Sequence, residues 1–179
     1  MLTETNIAGL YMISLEQHAD NRGSFVTHYQ SEVDSFSYLA TEKVLQTSLS
    51  YSRQNVLRGM HFGTYPKGGS TMVSCAYGSV LDQLVDVREE SPTFGQIYSM
   101  ELNSNDSIGL VFPAGIAHGF LALQEMNIIS YHFTYSYDEQ FEKVFQALTY
   151  PGLKWPSVEY IRSNRDIRAK SYLDTVRST

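Results

Sequence analysis

The hydrophobic pattern of the chain predicts short β-strands along most of its length. Runs of β-branched and aromatic residues recur at short intervals and are separated by Gly, Asn, Asp and Pro, which favours a β-sandwich or barrel. We find no repeat period and no linker, so we expect residues 1–179 to form one all-β domain. The clearest runs are VLQTSLSYS, STMVSCAYG, SVLDQLVDV, QIYSMELN and GLVFPAGIAHGFLAL.

The chain changes character after the segment YPGLKWP, which marks the end of the predicted sheet region. The following SNRDIRAKSYLDTV begins with residues that favour a helix cap. We therefore predict a short helical C-terminal tail within residues 157–179.

The run SVLDQLVDV places two carboxylates on an apolar face. Side chains in a strand alternate between its two faces, so Asp82 and Asp86 share a face with Val80 and Leu84. Either this face is solvated at a strand end or the carboxylates point into the fold. The solvated alternative suits Asp86 better than Asp82.

The run NIISYHFTYSYD predicts an aromatic stripe. It either fills a core or lines a cavity with its Tyr hydroxyls. On a straight strand Tyr131 and Tyr137 stand about 20 Å apart, so the strand must bend or end before Tyr137 if both contact one ligand. The residues on the aromatic face are Ile129, Tyr131, Phe133, Tyr135 and Tyr137.

Composition and charge exclude several classes of function. The chain has a formal net charge of −6 and no basic stripe, so we expect no nucleic-acid partner. No stretch reaches the roughly 20 apolar residues of a membrane span. A single cysteine, Cys75, allows no disulfide framework, and the N-terminal residues lack the pattern of a signal peptide. We expect a cytoplasmic protein.

The segment PAGIAHGF resembles half of a metal site. Pro113, Gly115 and His118 have the PxGxxH spacing of the second metal motif in cupin barrels. The first motif, which contains HxH and a Glu, is missing around His61, and two histidines are too few ligands for Zn, Fe or Mn. We therefore expect a cupin-type jelly roll with no metal and no cofactor, whose histidines are free for acid–base chemistry.

Several separated motifs together resemble the dTDP-4-dehydrorhamnose 3,5-epimerase family, metal-independent cupin enzymes that act on nucleotide-linked 4-keto-6-deoxy sugars. The resemblance extends from about residue 8 to residue 168. It implies that His61 is the catalytic base, Asp166 its carboxylate partner and Tyr131 the general acid. The motifs are DNRGSF, VLRGMHF, VDVREESPTFG, FPAGIAHGF, the Tyr131 strand and SNRD.

These residue types suit the chemistry that the resemblance implies. A ketone at sugar C4 acidifies the hydrogens on C3 and C5, so inversion needs a base on one face and an acid on the other. A neutral His has a pKa near working pH, and a carboxylate such as Asp166 sets its tautomer. The alternative for His61 is a buried histidine that hydrogen-bonds to the backbone.

The same resemblance implies a set of ligand contacts. Arg22 and Arg58 are expected near the diphosphate, where a guanidinium binds phosphate oxygens bidentately; surface ion pairs are the alternative for both. Gln46 is expected to contact the nucleotide and His118 the diphosphate or sugar. Tyr137 is expected to stack on the pyrimidine and Glu142 to contact the base.

Three ligand-facing positions depart from the family pattern. Thr71 stands where the family has a lysine that is thought to stabilise charge on the ketone oxygen, Thr27 replaces a glutamate, and Ser48 replaces an asparagine. Loss of one oxyanion donor typically costs about 2.7–4 kcal/mol, so another group must compensate or the reaction must differ. Lys67 and Arg58 are the candidates.

We therefore predict an epimerase that acts at C3, C5 or both carbons of a dTDP- or CDP-linked 4-keto-6-deoxy sugar, in deoxysugar or surface-polysaccharide biosynthesis. The alternatives are a 5-epimerase of a CDP-3,6-dideoxy-4-keto sugar, a 3,4-ketoisomerase, a non-catalytic cupin that binds a sugar nucleotide, and a metal-dependent oxygenase or isomerase. The resemblance also implies a homodimer in which the N-terminal strand, within residues 1–20, is exchanged and helps to complete the neighbour's site.

Overall fold

The computed structural model describes residues 2–30, 43–66 and 68–176 and shows a jelly-roll sandwich. Within these residues a six-stranded sheet has the order β1-β2-β10-β7-β12-β5, a five-stranded sheet has the order β13-β6-β11-β8-β9, and β3 and β4 form a separate two-stranded ribbon. The strands are β1 (Leu2–Glu4), β2 (Tyr11–Ser14), β3 (Glu16–Asp20), β4 (Gly23–Thr27), β5 (Gln46–Arg53), β6 (Leu57–Gly63), β7 (Ser70–Tyr77), β8 (Ser79–Asp86), β9 (Ile97–Asn103), β10 (Ile108–Pro113), β11 (Ile116–Ala122), β12 (Met126–Phe133) and β13 (Glu142–Val144).

The predicted all-β, cupin-type fold is confirmed, and alternation along the strands explains its core. Each strand turns every second side chain inward, so the six-stranded sheet contributes Val73, Leu110 and Ile129 and the five-stranded sheet contributes Leu84 and Phe120. All five are almost fully buried. This apolar layer between the sheets fixes their separation, and the cavity described below adjoins it.

The outer face of the five-stranded sheet is covered by the C-terminal part of the chain. Leu57, Val85 and Leu121 on that face pack with Phe145 and with the partly buried Trp155. The predicted helical tail is present as a short helix α1 (Asn164–Arg168) and a second helix α2 (Tyr172–Val176). This cover brings α1 to the edge of β6. No helix in the described ranges is long and apolar enough to cross a membrane.

Two glycines, Gly59 and Gly119, let strands β6 and β11 approach closely beside the cavity described below. Gly59 has φ +117°, and a Cβ there would lie 2.8 Å from the Cα of Gly119 and 2.9 Å from the carbonyl oxygen of His118. The strand register shifts between His118 and Phe120, as at a β-bulge. Through this pairing His118 lies directly opposite His61.

Both carboxylates of β8 are fully buried, so the solvated alternative is wrong for Asp82 and for Asp86. The reason is that each finds polar partners inside the fold. Asp86 accepts hydrogen bonds from Arg88 Nε at 2.8 Å, Ser91 Oγ at 2.5 Å and Thr93 Oγ1 at 2.7 Å. Burial alone would raise the pKa of Asp86, but these hydrogen bonds outweigh burial and lower the pKa to about 2.

The Asp86 network predicts a pH-dependent contribution to stability. Because the folded pKa of about 2 lies below the ordinary 3.8, ionised Asp86 stabilises the fold at neutral pH, and the contribution is lost as the pH falls from 3.8 towards 2. We expect Asp86→Asn to lower the free energy of unfolding by about 1–3 kcal/mol at pH 7 and by much less at pH 2. Urea unfolding of the wild type, Asp86→Asn and the surface control Asp106→Asn at both pH values measures this difference. An equal loss of unfolding free energy at pH 7 and at pH 2 contradicts the prediction.

Candidate active site

A cavity of about 360 Å³ lies between the two sheets and contains most of the predicted site residues. Its walls come from both sheets and from α1. Strand β12 ends at Phe133, so Tyr131 and Tyr137 can both face the cavity, as the spacing required. The predicted residues that line it are Gln46, Ser48, Arg58, His61, Thr71, His118, Tyr131, Tyr137, Glu142 and Asp166.

On one wall His61 and Asp166 form a hydrogen-bonded pair. Nε2 of His61, on β6, lies 2.8 Å from Oδ1 of Asp166, on α1. Ser163 caps α1: its Oγ donates to Asp166 Oδ2 at 2.9 Å and accepts from the Asp166 backbone N–H at 3.1 Å. Burial alone would raise the pKa of Asp166, but the hydrogen bonds from His61 and Ser163 outweigh it and lower the pKa.

This arrangement suits a base. Ionised Asp166 selects the imidazole tautomer that carries its hydrogen on Nε2, which leaves a lone pair on Nδ1. When Nδ1 takes a proton, the carboxylate stabilises the imidazolium. The His61 side chain is 32% exposed whereas Asp166 is 5% exposed, so the histidine, and not its partner, is open to the cavity.

A second histidine–carboxylate pair lies beside the first. Nε2 of His118 is 3.0 Å from Oδ2 of Asp82, which is fully buried. Burial raises the pKa of Asp82, and the nearby His118 opposes the rise only in part. The sequence alone assigned Asp82 no role in the site, although its position on the apolar face of β8 indicated that it could be buried there.

Tyr131 reaches the cavity from the opposite sheet. Its ring stacks on Phe133, with centroids 5.8 Å apart, and meets the His118 ring edge-on at 6.2 Å. Burial raises the pKa of Tyr131, and the nearby Ser50 hydroxyl and Arg58 guanidinium offset this in part. Tyr131 therefore stays protonated at neutral pH, as a proton donor requires. A histidine–carboxylate pair and a protonated phenol thus face one cavity from opposite sheets.

Polar groups at the rim are pre-positioned by one another. Gln46 Oε1 accepts from the Tyr137 backbone N–H at 2.9 Å, and Gln46 Nε2 donates to Ser48 Oγ at 3.1 Å. Arg58 donates from Nε to Ser52 Oγ at 3.1 Å. Since these side chains are held before any ligand binds, little conformational entropy is lost when one does.

The comparison with known proteins agrees with this site. Residues 4–174 match the model of the dTDP-4-dehydrorhamnose 3,5-epimerase family. The chain belongs to this family. It is 36% identical over 178 residues to the dTDP-4-dehydrorhamnose 3,5-epimerase of Mycobacterium tuberculosis (strain ATCC 25618 / H37Rv), an alignment that covers 96% of this chain and 87% of that protein.

Solved structures are similar along nearly the whole chain. A 4-keto-6-deoxy sugar epimerase from the novobiocin gene cluster of Streptomyces spheroides has a TM-score of 0.91 and 30% identity, covering 99% of this chain and 90% of that one. The Legionella pneumophila RmlC epimerase in complex with dTDP-4-keto-L-rhamnose has a TM-score of 0.86 and 31% identity, covering 96% and 92%. As a dTDP-4-dehydrorhamnose 3,5-epimerase family member, the protein is an isomerase of sugar nucleotides in deoxysugar biosynthesis. The matches give no support to the CDP-sugar, ketoisomerase and binding-module alternatives.

Two residues that the resemblance predicts to face the ligand, Arg22 and Thr27, do not line the cavity of their own chain. Arg22 stands at the tip of the β3–β4 ribbon, where its side chain is 86% exposed and its Nη2 pairs with Asp20 Oδ2 at 2.6 Å. Thr27 ends the same ribbon and does not line the cavity. The ribbon pairs with neither sheet of the sandwich, so its own chain does not fold these residues into the site.

In this epimerase a threonine hydroxyl, that of Thr71, stands where the family has a lysine ammonium group. Thr71 Oγ1 lies 2.9 Å from the Tyr135 hydroxyl, and both residues line the cavity. Lys67, one candidate to compensate, lies outside the described residues. Within the described chain, Arg58 is the only Lys or Arg in the cavity wall.

Other contacts in this epimerase site were absent from the sequence prediction. Tyr65 donates from its hydroxyl to Glu142 Oε1 at 3.2 Å, while burial raises the pKa of Glu142. Arg165 Nη1 donates to the Tyr137 hydroxyl at 3.2 Å. The sequence could have indicated Ser163, because it stands at the N-cap position before α1. No local pattern indicates Tyr65 or Arg165.

The described residues contain no group of three or more His, Cys, Asp or Glu arranged to hold a metal ion. His61 and His118 each direct Nε2 to a carboxylate.

Proposed function

We propose that this chain epimerises a dTDP-linked 4-keto-6-deoxyhexose at both C3 and C5. The observation that carries the proposal is the placement of the His61–Asp166 pair and the Tyr131 hydroxyl on opposite walls of one cavity. Inversion next to a ketone requires just such a pair of proton-transfer groups on opposite faces of the sugar.

Each inversion proceeds through an enolate. His61 removes the proton from the carbon beside the C4 ketone, and the C–H electrons form the enolate double bond while charge moves to the C4 oxygen. The Tyr131 O–H then delivers a proton to the same carbon from the opposite face. His61 finishes protonated and Tyr131 deprotonated, and exchange with solvent restores both. Asp166 stabilises the imidazolium in the interval.

The proposed nucleotide contacts lie at the polar rim of the cavity. Tyr137 presents an exposed aromatic ring next to Gln46 and Glu142, which suits stacking on a pyrimidine and hydrogen bonding to its edge. Arg58 is the cation of the cavity wall and suits the diphosphate. These features support a binding mode with the nucleotide at the rim and the sugar in the interior between His61 and Tyr131.

Proton NMR in D₂O tests this assignment. Incubation with dTDP-4-keto-6-deoxyglucose is expected to place deuterium at C3 and C5 and to form the doubly inverted sugar. A CDP-linked 3,6-dideoxy-4-keto sugar is the comparison substrate, and we expect no turnover of it. Deuterium at one carbon alone contradicts double epimerisation, and no exchange at either carbon contradicts enolate chemistry.

The same proposal includes a homodimer. Strands β1 and β2 pair within their own chain's six-stranded sheet, so the proposal gives completion of the partner's site to the β3–β4 ribbon in place of an exchanged N-terminal strand. The β3 residues are all exposed, and Phe25 on β4 is 70% exposed. Strand β5 lies at the edge of the six-stranded sheet and exposes Leu49 and Tyr51. Among the described residues no strand pairs with the outer edge of β5, and this edge and the exposed ribbon are surfaces that a second copy can cover. A cytoplasmic location stays a prediction.

A complementation experiment tests the shared site. We expect His61→Asn and Arg22→Ala to be weakly active alone, and co-expression to restore activity at about a quarter of the sites, because mixed dimers then carry one site with His61 and the partner's Arg22 intact. Light scattering gives the oligomeric state in parallel. A lack of restoration in proven mixed dimers shows that Arg22 does not act across the interface.

A further inference from the structure

Beside the aromatic stripe, the hydroxyl groups of Thr71 and Tyr135 form a pair that the proposed chemistry has not used. Thr71 Oγ1 and the Tyr135 hydroxyl are 2.9 Å apart and line the cavity. The Tyr135 ring is held between Phe133 at 5.2 Å and Tyr65 at 4.0 Å, measured between centroids. The hydroxyl is thus fixed by packing on both sides of its ring.

The backbone at Gly69 packs closely against the ring. Gly69 has φ +130°, and a Cβ there would stand 2.7 Å from Tyr135 Cδ1. Tyr135 lies two residues after the end of β12, whose Phe133 pairs with Thr71 on β7. The pair therefore sits where two adjacent strands of one sheet meet the cavity.

The pair retains one hydrogen for a ligand. Each hydroxyl is one donor and an acceptor, and within the described chain neither has another hydrogen-bond partner. If Thr71 donates to Tyr135, the phenol hydrogen is free, and in the reverse case the threonine hydrogen is free. Burial raises the pKa of Tyr135, so the phenol remains protonated through neutral and mildly alkaline pH.

Besides His61, the other basic side chains of the described cavity wall, Arg58 and His118, have other roles in this proposal. Arg58 donates to Ser52 Oγ and to the Tyr51 carbonyl, and His118 is paired with Asp82. Tyr131 is assigned to proton delivery. An enolate also needs a hydrogen bond at the oxygen on which its charge develops, and position 71 carries no cation here.

We propose that the Tyr135 hydroxyl, positioned by Thr71, donates this hydrogen bond to the C4 oxygen of the substrate sugar. The inference rests on the proposed function. Tyr135 is then a catalytic residue and Thr71 a positioning residue, and a neutral pair replaces the charge of a lysine.

The Tyr135→Phe variant tests the inference because it keeps the ring and removes the hydroxyl. With dTDP-4-keto-6-deoxyglucose we expect kcat to fall about 10²–10³-fold while KM and the Kd for dTDP stay nearly unchanged. Thr71→Val is expected to lower kcat about 10-fold, and Thr71→Ser to restore it. Tyr77→Phe, at an exposed tyrosine outside the cavity, is the matched control.

The outcomes separate this inference from the proposed function. Wild-type exchange at C3 and C5 together with an unchanged kcat in Tyr135→Phe overturns the inference and leaves the function standing. A loss confined to KM or to dTDP binding assigns Tyr135 to ligand packing and also overturns it. If the wild type shows no exchange, the proposed function fails and the inference fails with it.

Discussion

His61→Asn is expected to lose deuterium incorporation at both C3 and C5, with kcat reduced about 10²–10⁴-fold. Asparagine keeps a polar side chain near Asp166 Oδ1 but has no basic nitrogen to accept a proton from carbon. Both inversions fail together because both begin with the same base. Proton NMR in D₂O follows each carbon separately.

A loss of exchange in His61→Asn identifies the base only if the variant still folds with an intact cavity. Binding of dTDP to His61→Asn, measured by calorimetry, is expected to match the wild type, since the proposed nucleotide contacts lie at the rim around Gln46 and Tyr137. Asp106→Asn, at an exposed residue outside the cavity, controls for an amide introduced elsewhere. Exchange at the wild-type rate in His61→Asn identifies another base, and His61 then has a structural role.

Tyr131→Phe is expected to separate exchange from inversion. Without the Tyr131 hydroxyl the enolate still forms through His61, but the proton returns mostly from the His61 side, with retention of configuration. We expect the rate of inversion to fall about 10²–10⁴-fold and deuterium incorporation to fall much less. The measurement compares deuterium content with the fraction of inverted product in the same NMR sample.

The phenylalanine variant preserves most of the packing around position 131. The ring contacts to Phe133 and His118 do not involve the hydroxyl, so the melting temperature is expected to change little. Tyr77→Phe, at an exposed tyrosine outside the cavity, is the matched control. If inversion and exchange fall by the same factor, Tyr131 acts before or during enolate formation rather than as the acid on the second face.

Local pattern predicted the strand faces well. Period-two alternation placed Tyr131 and Phe133 on one face of β12, and both line the cavity. The same alternation placed Asp82 with Leu84 on β8, and both are buried. It could not decide whether Asp86 was solvated, because the partners that make its burial possible, Arg88 and Thr93, lie in the loop after the strand.

The sequence by itself determined the all-β class, the helical tail, the faces of the strands and, through its motifs, the family to which the chain belongs. Only the tertiary structure decided which of these residues meet. His61 and Asp166 touch although they are 105 residues apart, Thr71 meets Tyr135 across 64 residues, and Arg22 stays outside its own chain's cavity. The physical reason is that alternation is a property of neighbouring residues along one strand, whereas the distance between two strands depends on sheet pairing, the β6–β11 bulge and the cover that carries α1.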